Sequence, residues 1–121
     1  MRVPKGRSVC PFHSHLQEDE VFFVLSGRGV LRYDDDLRAI RAGDCISCPA
    51  GTQVAHQIYN PHAQDLVYLA IGAFDPQEVC IYPDSDKVAV RGVDMRGTLE
   101  EKAYFDDEPD PPRIVELAAK L

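Results

Sequence analysis

The segment of this chain best suited to chemistry is His13-Ser14-His15. Side chains of an extended segment alternate between its faces and recur on one face about 6.8 Å apart, so both imidazoles reach a single ion. Three acids follow, Glu18, Asp19 and Glu20. Glu20 opens the wholly apolar run Val21-Phe22-Phe23-Val24-Leu25, and an antiparallel return after a turn over Leu16 to Asp19 brings its carboxylate beside the histidines. A carboxylate at the mouth of such a strand is costly unless it is paired or binds a cation. A divalent metal supplies that cation. Taken alone, the His-x-His pair is also what two exposed turn histidines look like, and the three acids compete for the ligand role.

The elements that must position these residues are short. Strands are expected at Arg7 to Phe12, Val21 to Leu25, Gly29 to Tyr33, Leu37 to Arg41, Cys45 to Cys48, Val54 to Tyr59 and Leu66 to Ile71, with weaker signals at Val79 to Tyr82 and Lys87 to Arg91. Ser26-Gly27-Arg28-Gly29 and Asp34-Asp35-Asp36 read as hairpin turns, and Pro49-Ala50-Gly51 and Asn60-Pro61 as sharper reversals. The fold class is therefore mostly β, a sandwich, barrel or jelly roll. Gly92 to Asp110 reads as loop. Asp110 then caps a short helix with Pro111 at its first position, and Ile114, Leu117, Ala118 and Leu121 form its apolar stripe. Residues 1–91 are expected to form the barrel, and residues 92–121 an extension packed on the barrel or on a partner subunit.

With 121 residues, one domain is expected. Thirteen Lys and Arg stand against twenty Asp and Glu, a formal charge of −7, so a nucleic-acid backbone would be repelled while a local pocket remains free to take a small anion. No apolar run approaches the roughly 18 residues of a membrane span, and none follows the basic start Met1 to Gly6, so a cytoplasmic address is expected. Cys45 and Cys48 stand three apart in a strand and face opposite ways, so with Cys10 and Cys80 they read as structural thiols. Gly27-x-Gly29 is a turn, and His62 follows Pro61 at the surface. Tyr33, Tyr59, Tyr68, Arg32, Arg38 and Arg41 are candidates for a pocket, but parity alone does not say which face is interior.

Two stretches resemble the motifs of the cupin family. Gly6 through His13-x-His15-x4-Glu20-x6-Gly27 is similar to the first, and Gly43-x5-Pro49-x-Gly51-x4-His56-x3-Asn60 to the second, fifteen residues apart. The resemblance implies a double-stranded β-helix barrel in which His13, His15, Glu20 and His56 hold one divalent ion. Among the acids it selects Glu20, leaving Glu18 and Asp19 as solvated turn residues. Four residues separate Gly51 from His56 where the family usually has two, and the unchanged spacing to Asn60 assigns the extra pair to the turn. Cupins also usually carry one or two strands before the first motif. Here about twelve residues precede His13, so the barrel is expected to be open at one edge and closed by a homodimer.

Three imidazoles and a carboxylate leave coordination positions open for water or substrate, and Fe, Mn, Ni, Zn, Co and Cu all suit them. The resemblance implies a metal-dependent enzyme on a small oxygen-rich metabolite, by dioxygenation, decarboxylation or isomerisation. The alternatives are a small-ligand-binding or sensor module, and a metal-stabilised barrel without turnover. No catalytic residue beyond the ligands is legible.

Overall fold

A computed structural model describes residues 1–121. Twelve strands, β1(Arg2–Val3), β2(Arg7–Ser8), β3(Ser14–His15), β4(Glu20–Ser26), β5(Arg28–Tyr33), β6(Asp36–Arg41), β7(Cys45–Cys48), β8(His56–Asn60), β9(Leu66–Gly72), β10(Val79–Tyr82), β11(Lys87–Val90) and β12(Met95–Gly97), precede one helix, α1(Arg113–Ala118). They form three antiparallel ladders, ordered β1-β9-β4-β7, β2-β8-β5-β6 and β12-β11-β10-β3.

Period-two alternation builds the core. On β4, Phe22 and Val24 point inward and are buried, while Phe23 and Leu25 point outward and are exposed. Val3, Leu31, Ile40, Ile46, Cys48, Ile58, Leu66 and Tyr68 complete the same cluster from the neighbouring strands. Each large apolar side chain buried there is worth about 1.5–3 kcal/mol. The β4 to β5 turn requires glycine: Gly27 has φ +83°, and a Cβ there would stand 2.4 Å from the Asp65 carbonyl oxygen.

Four expectations are corrected. The strand Arg7 to Phe12 breaks after Ser8, because Pro11 has no N–H for a ladder, and pairing resumes nearer the histidines. The strand expected from Val54 starts at His56: Thr52 and Gln53 form a turn, with Gln53 at φ 60° and the Thr52 hydroxyl accepting the Val54 N–H. The barrel edge at β9 is not open, since Arg2 and Val3 pair with Val67 and Leu66, and the Met1 ammonium donates to the Tyr68 carbonyl. The Gly92 to Asp110 segment is not all loop, for Met95–Gly97 adds β12 to β11.

The terminal helix starts at Arg113 with Pro112 at its cap, later than the sequence implied. A residue before proline is driven toward extended conformations, so Asp110 and Pro111, each followed by proline, cannot lead into the helix. Every residue from Arg91 to Leu121 is exposed, the helix included. Within residues 92–121, Met95–Gly97 joins the β11 ladder, and the terminal helix has no buried residue.

Candidate metal centre

The three ladders meet at the histidines. His13 and His56 are locked face to face by an antiparallel bridge, in which each main-chain N–H donates to the other residue's carbonyl, at 3.2 and 2.9 Å. His15 sits on β3 opposite Cys80 of β10. Glu20 opens β4 between Cys48 of β7 and Gly72 of β9. The extra residues of the Gly51 to His56 turn leave His56 in register opposite Tyr33.

The side chains converge on one point. Glu20 Oε2 lies 2.9 Å from His56 Nε2, 3.0 Å from His15 Nε2 and 3.8 Å from His13 Nε2, and the His13 and His15 Nε2 atoms are 3.1 Å apart. Ligand atoms of all four residues lie within 4.8 Å of one another. Neighbouring ligands of an ion bonded at about 2.1 Å in octahedral geometry stand about 3.0 Å apart, so these residues fit a small divalent cation. The tautomers agree with that. His13 Nδ1 faces the Pro11 carbonyl at 2.7 Å and must donate to it, which leaves Nε2 with its lone pair. His56 Nδ1 is buried without a partner, so its Nε2 is the only nitrogen with anything to bind.

Without an ion, the site balances its own charge. Hydrogen bonds with Cys80 and Glu20 outweigh burial and push the His15 imidazole up to about 10, whereas burial lowers His13. Burial alone would raise the Glu20 carboxyl, but hydrogen bonds from His15 and His56 hold it well below the usual carboxylate range. The metal-free centre thus pairs the His15 imidazolium with the Glu20 carboxylate beside a neutral His13.

Several surrounding residues were not legible as such. Glu78 is 1 % exposed, and its carboxylate accepts the main-chain N–H groups of Leu16, Gln17, Glu18 and Val79 at 2.6 to 3.3 Å, fixing the turn between His15 and Glu20. Its Oε2 also lies 3.4 Å from His15 Nδ1. Only the apolar run Val79-Cys80-Ile81 that follows it could have hinted at burial. Glu18 is not a solvated turn residue: it is buried, ion-paired with Arg91 and accepts the Asp75 N–H at 2.7 Å. Asp19 is exposed and caps the Ala50 N–H.

The pocket candidates divide. Tyr68 lines a cavity of about 160 Å³ against His13, Glu20 and His56, together with Phe22, Ile58 and Cys10. Tyr33 packs against the core from its rim, Tyr59 is exposed, and Arg38 and Arg41 lie on the outer surface. Arg32 stacks 3.5 Å over the Phe12 ring and pairs with Asp84. Cys45 is exposed and Cys48 buried, on opposite faces as alternation requires, and all four thiols are free.

Residues 1–72 match the family of the cupin domain. The chain is 35% identical over 71 residues to an oxalate-binding protein from Thermotoga maritima, covering 59% of this chain and 56% of that protein. It spans about half the length of the curated relatives it matches. A sugar phosphate isomerase candidate from Acidithiobacillus ferrooxidans superposes with a TM-score of 0.74 at 30% identity, covering 83% of this chain and 69% of that one. A sugar phosphate isomerase of the cupin superfamily from Silicibacter pomeroyi gives 0.76 at 26% identity, covering 88% and 69%.

Proposed function

The chain belongs to the cupin domain family, and from that premise we propose that it is a metal-dependent enzyme of the isomerase type, acting on a small oxygen-rich metabolite. The observation that carries the reading is the convergence of His13, His15, His56 and Glu20 on one point at the wall of a small cavity. When bound there, a divalent ion supplies Lewis acidity at a substrate oxygen. The chain supplies the rest. Phe22 and Ile58 keep water from the inner wall, and Tyr68, whose phenol burial pushes up to about 12, stays protonated as an O–H donor.

Isomerisation is favoured over oxygenation and decarboxylation by the extent of the likeness. The sugar phosphate isomerase structures cover 83% and 88% of this chain, which takes the match past residue 72 toward the β10 to β12 hairpins. A second reading, binding without turnover, is favoured by the likeness to the oxalate-binding protein. Protein loaded in turn with each candidate metal and mixed with aldoses, ketoses and their phosphates in D2O separates them by proton NMR. Interconversion that disappears in His56→Ala supports the isomerase, oxalate binding without any turnover supports the second reading, and neither result would remove both.

The same chain has two unsatisfied apolar surfaces. Phe23 of β4 opposes Leu69 of β9, and both are exposed on the barrel's outer face with Leu25 at the adjacent bulge and Ile71, while Ile114, Leu117 and Leu121 are exposed on the terminal segment. Patches of this kind are seldom left to water. The reading they support is a homodimer in which each terminal segment covers its partner's outer face. Light scattering is expected to give the mass of two chains, and deletion of residues 110–121 to shift it toward one chain or precipitate the protein. A monomer indifferent to the deletion contradicts this. The free thiols suit the reducing, cytoplasmic address expected, and no helix is long and apolar enough to cross a membrane.

A further inference from the structure

The ladder β12-β11-β10-β3 carries His15 on its edge strand β3 and, on β11 and β12, the cations Lys87 and Arg96. Directly opposed residues of an antiparallel sheet share a face. In one row, His15 opposes Cys80, Cys80 opposes Ala89, and Ala89 opposes Arg96. In the next, the Tyr82 ring stacks on His13 with centroids 5.9 Å apart and planes at 28°, and Tyr82 opposes Lys87, whose Nζ sits 4.4 Å over the ring. Each row therefore runs from a metal ligand to a cation on the same face of the sheet.

The space between is open. Neighbouring strands are about 4.8 Å apart, so the Arg96 backbone stands about 14 Å from that of His15, and only the methyl of Ala89 and the thiol of Cys80 intervene. A cavity of about 140 Å³ lies there, lined by Cys80, Tyr82, Ala89 and Arg96, with Glu78 and Asp94 at its sides. Arg91 also reaches it, but its guanidinium is already used by Glu18 and the Asp75 carbonyl. Neither Lys87 nor Arg96 has an acidic partner within 4.0 Å, unlike Arg2, Arg32, Arg38, Arg91 and Lys102. In a chain of net charge −7, these two cations without acidic partners lie on the face that bears the metal ligands. The cavity against the metal ligands, by contrast, is lined by no lysine or arginine.

We propose that Lys87 and Arg96 form an anion subsite that takes a phosphate monoester of the metabolite, while its oxygens at the other end meet the metal centre. The inference rests on the reading of an isomerase and names its substrate class as phosphorylated. Arginine and lysine supply charge-assisted donors to phosphate oxygens, and Tyr82 gives the substrate an aromatic wall between the two ends. The hairpin that carries the subsite lies beyond residue 72, outside the matched cupin domain.

The test uses full-length protein, with one equivalent of zinc and again without it, titrated with inorganic phosphate while amide shifts are followed by NMR. Saturable shifts at Tyr82, Lys87 and Arg96 are expected. Affinity is expected to fall about tenfold or more in the Lys87→Gln, Arg96→Gln double variant, with melting temperature and zinc isotherm unchanged. Acetate is expected to bind about tenfold more weakly than phosphate. Absence of saturable shifts, equal affinity in the double variant, or acetate binding as tightly as phosphate would each overturn the subsite. A missing zinc isotherm in the wild type would instead remove the metal-centre reading, and the phosphate shifts would still decide the subsite.

Discussion

Glu78→Gln probes the buried carboxylate that organises the turn between His15 and Glu20. One carboxylate oxygen accepts from Leu16, Gln17 and Val79, and the other accepts the Glu18 N–H at 2.6 Å. An amide retains the first set. Its NH2 then faces the Glu18 N–H, donor against donor, so one charge-assisted bond is lost and one buried N–H is left unpaired. At about 1.5–3 kcal/mol for the bond and 1–3 kcal/mol for the orphaned donor, shared within one network, the cost is about 3 kcal/mol. An unfolding entropy of about 2.1 cal/mol/K per residue turns that into a fall of about 10–15 °C in melting temperature. The assay is thermal unfolding of metal-free protein followed by circular dichroism, with exposed Glu108→Gln as the control expected to stay within about 0.5 kcal/mol. Zinc affinity is expected to fall too, because the same turn sets His15 against Glu20. A drop below about 3 °C would refute the argument that Glu78 holds this turn.

The raised His15 pKa sets a proton count. In the metal-free protein its imidazole titrates near 10, so at pH 7.5 each bound ion must displace about one proton, declining toward zero above pH 10. Calorimetry in buffers of different ionisation heat measures this, and no proton release at pH 7.5 would contradict it. Because the folded pKa lies above the ordinary 6.5, the stabilisation is fully present below pH 6.5 and lost as pH rises through about 10, so metal-free protein is expected to melt at lower temperature across that window. In the core, Val24→Ala removes two methyl groups from a fully buried site and is expected to cost about 2–3 kcal/mol in urea unfolding, whereas Leu37→Ala, at 73% exposed, is expected to stay within about 0.5 kcal/mol.

What the sequence makes legible follows from period and spacing. The strand β4, its alternation and the hairpins around Gly27 and Asp34 are readable because strand residues repeat every two and turns need Gly or Asp. The convergence of His13, His15 and Glu20 is local, within eight residues. His56 is not, and only its motif connects it to a partner 43 residues away, across a backbone bridge that no local pattern encodes. Glu78 and Arg91 escape for the same reason: their partners, Leu16 to Glu18, lie about 60 to 73 residues back, and an isolated acid or base reads as surface. The N-terminal edge escapes because Arg2–Val3 is too short to carry a strand signal and is ordered only by pairing with β9. The free terminal helix shows the converse, an amphipathic stripe readable in sequence whose covering is absent from the single chain.

Elemental analysis tests most directly whether His13, His15, Glu20 and His56 hold a single divalent ion. Wild-type protein purified without chelator is predicted to carry close to one ion per chain. His15→Ala and His56→Ala are each predicted to carry almost none while keeping the β-sheet spectrum of the wild type. Variants that retain near one ion per chain would contradict the metal centre described here.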